Sequence, residues 1–267
     1  MSSNERGTWR IFLMFFVSLF ESFLKVRNFS KKIIYYPIID STNQEVWNLY
    51  NTNHDISNIV IITDNQANGK GRNHNKWHSK SGSDITCSFV LKEVFPKEQF
   101  NLHALLIPVA VIKGIKNFLS IDLSIKWPND IMYENKKIGG ILIESKIQKR
   151  TILNVGLGIN VNQLSSEFPI ELENNMISLQ EILGRPIQRE PLLAYIFNEL
   201  DILISSLDSS SIISFWMDYC NHKNKEIQFM NNNKLVRGMF KYINDKGQAV
   251  VKYNNEYIAY DGAMQIV

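Results

Sequence analysis

The stretch from Ser124 to Glu144 limits what this chain can become more than any other. It holds Lys126-Trp127-Pro128-Asn129-Asp130, a short apolar run to Tyr133, a Glu-Asn-Lys turn, then Lys137-Ile138-Gly139-Gly140 and a second apolar run. Two apolar runs about a polar turn predict strand, turn, strand. A hairpin with only a structural task does not need two lysines, a Trp-Pro-Asn-Asp corner and a glycine pair. We take it as the floor of an active site.

The rest of the chain is large enough to build a site around it. At 267 residues, 45% of them hydrophobic, it has room for one large domain and a small one. A net charge of +3 is too weak to imply a nucleic-acid partner by itself, so any basic function must come from local clustering. Cys87 and Cys220 lie too far apart in sequence for a ligand pair or a disulfide framework, which suits a reducing cytoplasm. His74 and His78 are four apart in a polar loop but lack the third ligand that a zinc site needs.

The amino terminus is ambiguous. Ile11 to Phe20 is nearly all apolar, flanked by Arg10 and by Glu21, Lys25 and Arg27. It is shorter than the roughly 20 residues of a spanning helix, and no small-residue cleavage site follows it. Three readings remain: an interfacial anchor, a helix packed on the core, or upstream sequence outside the working fold. We favour the last two, expect no membrane association, and divide the chain into an extension (1–31), a main domain (32–222) and a small all-β domain (223–267), expected to be a barrel.

Periodicity orders the remainder. A first strand is predicted over Lys32–Ile39. Ser41-Thr42-Asn43-Gln44-Glu45 carries two overlapping capping boxes and opens a helix to about Tyr50. Strands follow at Ile59–Thr63 and Ile85–Leu91, a long apolar helix from Leu102 to Leu119, and a strand over Thr151–Val161. Helices close the main domain from Pro191 to Ile204 and from Ser211 to Tyr219. Two further stretches carry chemistry. The loop Gln66 to Lys80 contains no acid, three lysines and one arginine, with Gly69 and Gly71 free to turn amides toward an anion. It fits neither a dinucleotide fingerprint nor a Walker loop. The strand at Gly156-Leu157-Gly158 marks close backbone approach, expected here from a ligand.

The basic glycine loop, the Lys126–Asp130 corner, Lys137 with Gly139-Gly140, and Gly156–Asn160 occur in the order found in biotin–protein ligase (biotin–acetyl-CoA-carboxylase ligase), and the chain resembles that family over roughly residues 32 to 267. Asp40-Ser41-Thr42-Asn43 matches an early element of the same family. The resemblance implies a mixed α/β fold like the catalytic domain of class II aminoacyl-tRNA synthetases, plus a small carboxy-terminal β-barrel. It implies activation of biotin by ATP with Mg²⁺ to biotinyl-adenylate, then transfer to a lysine of a carboxylase carrier domain, by a monomer or homodimer. Ser41, Thr42, Asn43, Gln66, Gly69, Lys70, Gly71, Arg72, Lys137, Gly139, Gly140 and Gly158 match positions around biotin. Arg72, Trp77, Lys126, Asn129, Asp130 and Asn160 match positions around ATP, with Mg²⁺ carried by the phosphates. Arg72, Lys137 and Asp130 are the expected catalytic groups. Arg72 suits phosphate and carboxylate because its fork grips two oxygens.

Two departures stand out. Lys70, Asn73, His74 and Asn75 replace an arginine, an arginine, a glycine and an arginine of the family loop, and Lys70 loses the bidentate fork. This predicts looser closure over the adenylate. Only about 30 residues precede the first strand, too few for the helix-turn-helix that some members carry, so no operator binding is expected. Lipoate–protein ligase, whose Arg-Arg-x-x-Gly-Gly-Gly element is missing here, is the nearest alternative. A nucleic-acid module using the loop 69–80, with Trp77 as a stacking platform, is the alternative of a different class.

Overall fold

The structure, a computed structural model, describes residues 14–25, 32–72, 75–92, 94–147, 151–206 and 208–267. Seven strands make one sheet: β1 (Lys32–Tyr36), β2 (Ile59–Thr63), β3 (Ile85–Lys92), β4 (Ser124–Lys126), β5 (Asp130–Tyr133), β6 (Lys136–Ile147) and β7 (Thr151–Ile159). Their spatial order is β1-β2-β3-β7-β6-β5-β4. β1 and β2 run parallel, joined by a helix as parallel neighbours require. The other pairs are antiparallel, which makes the sheet mixed, as expected.

Among the described residues the five longest helices are α1 (Val17–Phe23), α2 (Thr42–Asn51), α3 (Leu102–Leu119), α4 (Arg189–Ser206) and α5 (Ser209–Tyr219), with two single-turn helices at Ile170–Glu173 and Leu179–Leu183. α3 continues through Pro108 and buries its apolar residues against α4 and the sheet. By length and composition α3 could cross a membrane, yet 67% of it is buried, and it serves as the core helix. Apolar residues of one sheet face, among them Ile85, Cys87, Leu157, Ile159 and Ile141, pack into this core. The opposite face carries polar residues and glycines, and there the site forms.

The first strand stops at Tyr36, short of the predicted Ile39, because Pro37 cannot donate to the ladder. Ile39 rejoins the fold by a single bridge to Gln66. β7 ends at Ile159, two residues early, where Asn160 N turns to Ile138 O at 2.7 Å.

Of the three readings of the amino terminus, residues 14–25 follow the packing helix. Phe15 and Phe20 are buried, and Phe20 meets Phe197 of α4 edge to face at 5.9 Å. Phe197 in turn meets Phe89 of β3 at 5.0 Å. Main-chain N–H groups of Phe15 and Phe16 donate to Asp64 (3.2 Å) and Glu190 (2.9 Å). Residues 14–25 therefore belong to the working fold and do not lie upstream of it. Residues 1–13 and 26–31 lie outside the described residues.

The carboxy-terminal strands β8 (Glu226–Asn231), β9 (Lys234–Ile243), β10 (Ala249–Tyr253), β11 (Glu256–Tyr260) and β12 (Met264–Ile266) form a second, antiparallel sheet in the order β11-β10-β9-β8-β12. Trp216 of α5 stands between the two units. It is 5.7 Å from Trp127 of the hairpin and 6.3 Å from Phe240 of β9. Trp127 Nε1 also donates to Gly262 O at 2.9 Å, which places the chain just before β12 beside the hairpin.

Candidate active site

The polar face of the large sheet encloses a cavity of about 500 Å³. Its floor is the predicted hairpin. β5 and β6 pair Asp130 with Gly140 and Ile131 with Gly139, and the register then slips by one residue at Ile138. Such a bulge re-aims side chains beside it. Lys137 consequently lies on the same face as Gly140, whose missing Cβ leaves room for the lysine end: Nζ would be only 3.1 Å from a carbon there. Lys137 Nζ pairs with Asp130 Oδ1 at 2.6 Å, both about 30% exposed toward the cavity (27% and 31%).

One wall comes from the start of α2. Ser41 caps the helix as expected, accepting from Gln44 N. Thr42 does not act as the predicted second cap. Its main-chain N and its hydroxyl both donate to Gln66 Oε1 (2.8 and 3.1 Å), and the hydroxyl also meets Ser88 Oγ of β3 at 2.7 Å. Asn43 accepts from the Ser88 hydroxyl through Oδ1. Its Nδ2 is buried with no partner, a donor held without its bond. Ser41, Thr42, Asn43 and Gln66 thus form one polar corner, with Ser88, which the sequence did not single out, joining them.

The glycine strand reads differently in the structure. A Cβ on Gly156 would stand 2.3 Å from Asn43 Oδ1, and one on Gly158 would stand 2.4 Å from the Trp77 indole. The close approach predicted for a ligand is made by the protein's own side chains. Two glycines let Asn43 and Trp77 lie flat on the sheet and line the cavity.

The basic loop folds back on itself. Gly71 N donates to Asn75 O (2.7 Å) and Trp77 N to Gly69 O (2.9 Å), closing a narrow hairpin. Asn73 and His74, two of the four departures noted above, lie outside the described residues. Lys70 reaches Gln44 Oε1 at 2.8 Å, Arg72 Nη1 reaches Asn129 Oδ1 at 3.0 Å, and Lys80 pairs with Glu167. Trp77 Nε1 is buried without a partner.

Of the predicted site residues, Ser41, Thr42, Asn43, Gln66, Lys70, Gly71, Arg72, Trp77, Lys126, Asp130, Lys137, Gly140, Gly158 and Asn160 line this cavity. Gly69, Asn129 and Gly139 do not. Gly69 supports the loop hairpin, Gly139 packs on Gly158 O, and Asn129 stands behind Arg72. Asn160 donates weakly to two main-chain oxygens, at 3.3 and 3.4 Å, and keeps a buried, unpartnered Oδ1. The segment after β7 was missed from sequence. Phe168, Glu171, Leu172 and Met176 line the mouth, held by Lys137 N to Asn175 O (2.8 Å) and Ile177 N to Lys137 O (3.1 Å). Ala263 and Met264 add an edge from the small sheet. Among the described residues no group of three His, Cys, Asp or Glu side chains could hold a metal ion.

A buried ionic cluster braces the strand ends beneath the site. Arg189 pairs with Asp64 at 2.8 Å and donates to Asp84 O at 3.1 Å, while Asp84 Oδ1 accepts from Val161 N at 2.8 Å. Burial pushes the Asp84 carboxyl up to about 6, against three main-chain N–H groups that favour its charge. These contacts tie β2, β3 and β7 together one or two residues from Gln66, Thr86 and Asn160.

A cavity rich in cations, with Lys70, Arg72, Lys126 and Lys137 in its lining, opens on a mixed sheet with a small β unit at its rim, an arrangement suited to anionic ligands. Residues 35–162 match the model of the biotin/lipoate A/B protein ligase family. The chain is also similar to biotin protein ligases. It is 35% identical over 175 residues to the bifunctional ligase/repressor BirA of Bacillus subtilis, covering 65% of this chain and 54% of that one. It is 32% identical over 195 residues to biotin–protein ligase 2 of Arabidopsis thaliana, covering 64% and 55%. The chain thus spans about half the length of these relatives. The structure of biotin protein ligase from Aquifex aeolicus in complex with biotin and ATP superposes with a TM-score of 0.75 at 24% identity, over 89% of this chain and all of that one. The fold is therefore that of the biotin protein ligases.

Proposed function

We propose that this protein activates biotin with ATP and transfers the biotinyl group to a lysine of a carboxylase carrier domain, as a biotin–protein ligase. The observation that carries this is the convergence of two cations, Arg72 and Lys137, with the Ser41–Thr42–Asn43–Gln66 corner in one cavity. A biotin carboxylate oxygen attacks the α-phosphorus of ATP, the bond to the bridging oxygen breaks, and pyrophosphate leaves. The substrate supplies the nucleophile, so the protein must align two anions and stabilise charge on the phosphoryl oxygens. Lys137 and Arg72 serve that need. The amine of the carrier lysine then attacks the acyl carbonyl and AMP departs. Asp130 faces the cavity to take or orient the amine proton.

The polar corner favours biotin over lipoate. A ureido ring presents both donors and an acceptor, and the unpartnered Asn43 Nδ2 supplies a bond that a dithiolane ring cannot use. Trp77, Lys126 and Asn160 face the remaining space and serve ATP. Mg²⁺ suits the oxygen donors present, the Asp130 carboxylate and the Asn160 Oδ1, as an ion carried by phosphates. When bound it neutralises phosphate charge. The nucleic-acid alternative loses support, because Lys70, Arg72 and Lys80 are engaged within the protein and Trp77 lies against Gly158. Two free cysteines suit the cytoplasm. We divide the chain near residue 223, between the cavity-bearing unit and the small sheet. The test is ATP–pyrophosphate exchange, expected with biotin and absent with lipoate. Exchange with lipoate alone would overturn the assignment.

A further inference from the structure

The turn between β4 and β5 presents two polar side chains in succession, and they do different things. Asp130 faces the cavity and pairs with Lys137. Asn129 is 4% exposed and does not line that cavity. Its Oδ1 accepts from Arg72 Nη1 at 3.0 Å, and its Nδ2 donates to the main-chain oxygen of Ile141 on β6. Rotating the amide would set donor against donor and oxygen against oxygen, so chemistry fixes its orientation. Both ends of the amide are used, which leaves little to offer a nucleotide.

Arg72 needs such an anchor. It sits near the tip of the loop hairpin and lines two spaces, the main cavity and a second one of about 300 Å³ that Asn129, Pro128, Leu105 and Asp261 also line. A long, rotamer-rich side chain with room on both sides spends part of its time away from the reacting groups. The Asn129 carbonyl holds one nitrogen of the guanidinium and leaves the other donors for an anion. We propose that Asn129 is the positioning residue for Arg72, so that adjacent residues of one turn each set one of the two cations: Asp130 sets Lys137 and Asn129 sets Arg72. This rests on the ligase assignment for its kinetic consequence, but the link itself does not.

The test compares wild type with Asn129→Ala, Asn129→Asp, Arg72→Ala and the double alanine variant. Biotin-dependent pyrophosphate exchange, release of free adenylate and melting temperature are measured for each. Asn129→Ala is expected to slow exchange and speed adenylate release about tenfold, with the KM for ATP within about twofold of wild type. The double variant should match Arg72→Ala within about twofold, because the two residues act as one unit. Asn129→Asp keeps the acceptor for Arg72 but loses the donor to Ile141. It should melt lower than wild type yet stay within about threefold of it in exchange, an ordering that a merely structural role does not give. Multiplicative effects in the double variant, an effect on ATP KM alone, or an Asp variant as slow as the Ala variant would each overturn the proposal. Trypsin cleavage after Arg72, mapped by mass spectrometry, needs no substrate. Asn129→Ala should be cut at least about fivefold faster than wild type and Asn129→Asp should not. Equal cleavage rates overturn the link even if exchange is seen. Absent exchange in the wild type with the expected cleavage pattern sinks the ligase assignment and leaves the link standing.

Discussion

Gly158→Ala is the substitution that best probes how the cavity is built. The new methyl carbon would lie 2.4 Å from both Cε2 and Cζ2 of Trp77. Carbon atoms rest about 3.5–4.0 Å apart, so the indole must retreat by more than about 1 Å. The strand cannot yield in its place, because Gly158 is paired to Thr86 on one side and Gly140 on the other. Overpacking of this kind costs about 1–3 kcal/mol. Trp77→Ala alone loses buried area and is expected to cost about 2–3 kcal/mol, below the full value for a wholly buried tryptophan since Trp77 is only half-buried. In the double variant the clash no longer exists, so its cost should fall short of the sum by about 1–3 kcal/mol. Urea denaturation of the four proteins gives the cycle, and tryptophan fluorescence reports the displaced indole. Additivity within about 0.5 kcal/mol would show that Trp77 does not occupy the space above Gly158, and the account of the glycine strand would fail.

Other consequences can be measured alongside. Phe20→Ala should cost about 3–5 kcal/mol in denaturation, because the ring fills a core site against Phe15 and Phe197; a change under about 1 kcal/mol would mean that α1 does not pack in solution. Arg189→Met should destabilise by about 3–5 kcal/mol by leaving Asp64 buried without its cation, and a neutral result refutes that pairing. Asp84 has its folded value raised to about 6 from 3.8, so the folded state holds a proton that the unfolded state has released, and this site's contribution to stability falls as pH rises through that window. Relative to wild type, Asp84→Asn should therefore gain about 2 kcal/mol between pH 4 and pH 7, read from urea midpoints; a flat difference contradicts the shift. His222 shifts the other way, lowered to about 4 by burial, and its contribution should grow as pH rises from 4 to about 6.5, a slope that His222→Gln removes.

The hairpin, the loop and the strands along the chain were legible in the sequence because each is a local pattern: apolar runs, turns and glycines at fixed spacing. The mixed sheet was expected only from the family resemblance that those motifs carry. What the sequence concealed was which partner each residue meets. Thr42 looked like a cap because Glu45 follows three residues later, but its hydroxyl is taken by Gln66 of the basic loop and Ser88 of β3. Gly156 and Gly158 announced a close approach without naming Asn43 and Trp77 as the groups approaching. The bulge at Ile138, which puts Lys137 on the face of Gly140, leaves no mark in an apolar run. Phe168, Leu172 and Met176 sit on or beside single helical turns, Ser165–Glu167 and Ile170–Glu173, too short for a period to point them inward. The apolar stretch near the amino terminus was visible at once, but only its aromatic contacts with α4 show that residues 14–25 pack on the core.

The central claim is that Lys137 and its cavity join biotin to a protein lysine. The direct measurement is incubation with labelled biotin, ATP and a carboxyl carrier domain, followed by intact-mass and label analysis of the carrier for wild type and Lys137→Ala. The account predicts one biotinyl group on one carrier lysine with the wild type, and a loss of at least about a hundredfold in rate with the variant, since a cation at the reacting anions is removed. A wild type that binds biotin and ATP but leaves the carrier unmodified, or a Lys137→Ala variant as fast as wild type, would contradict it.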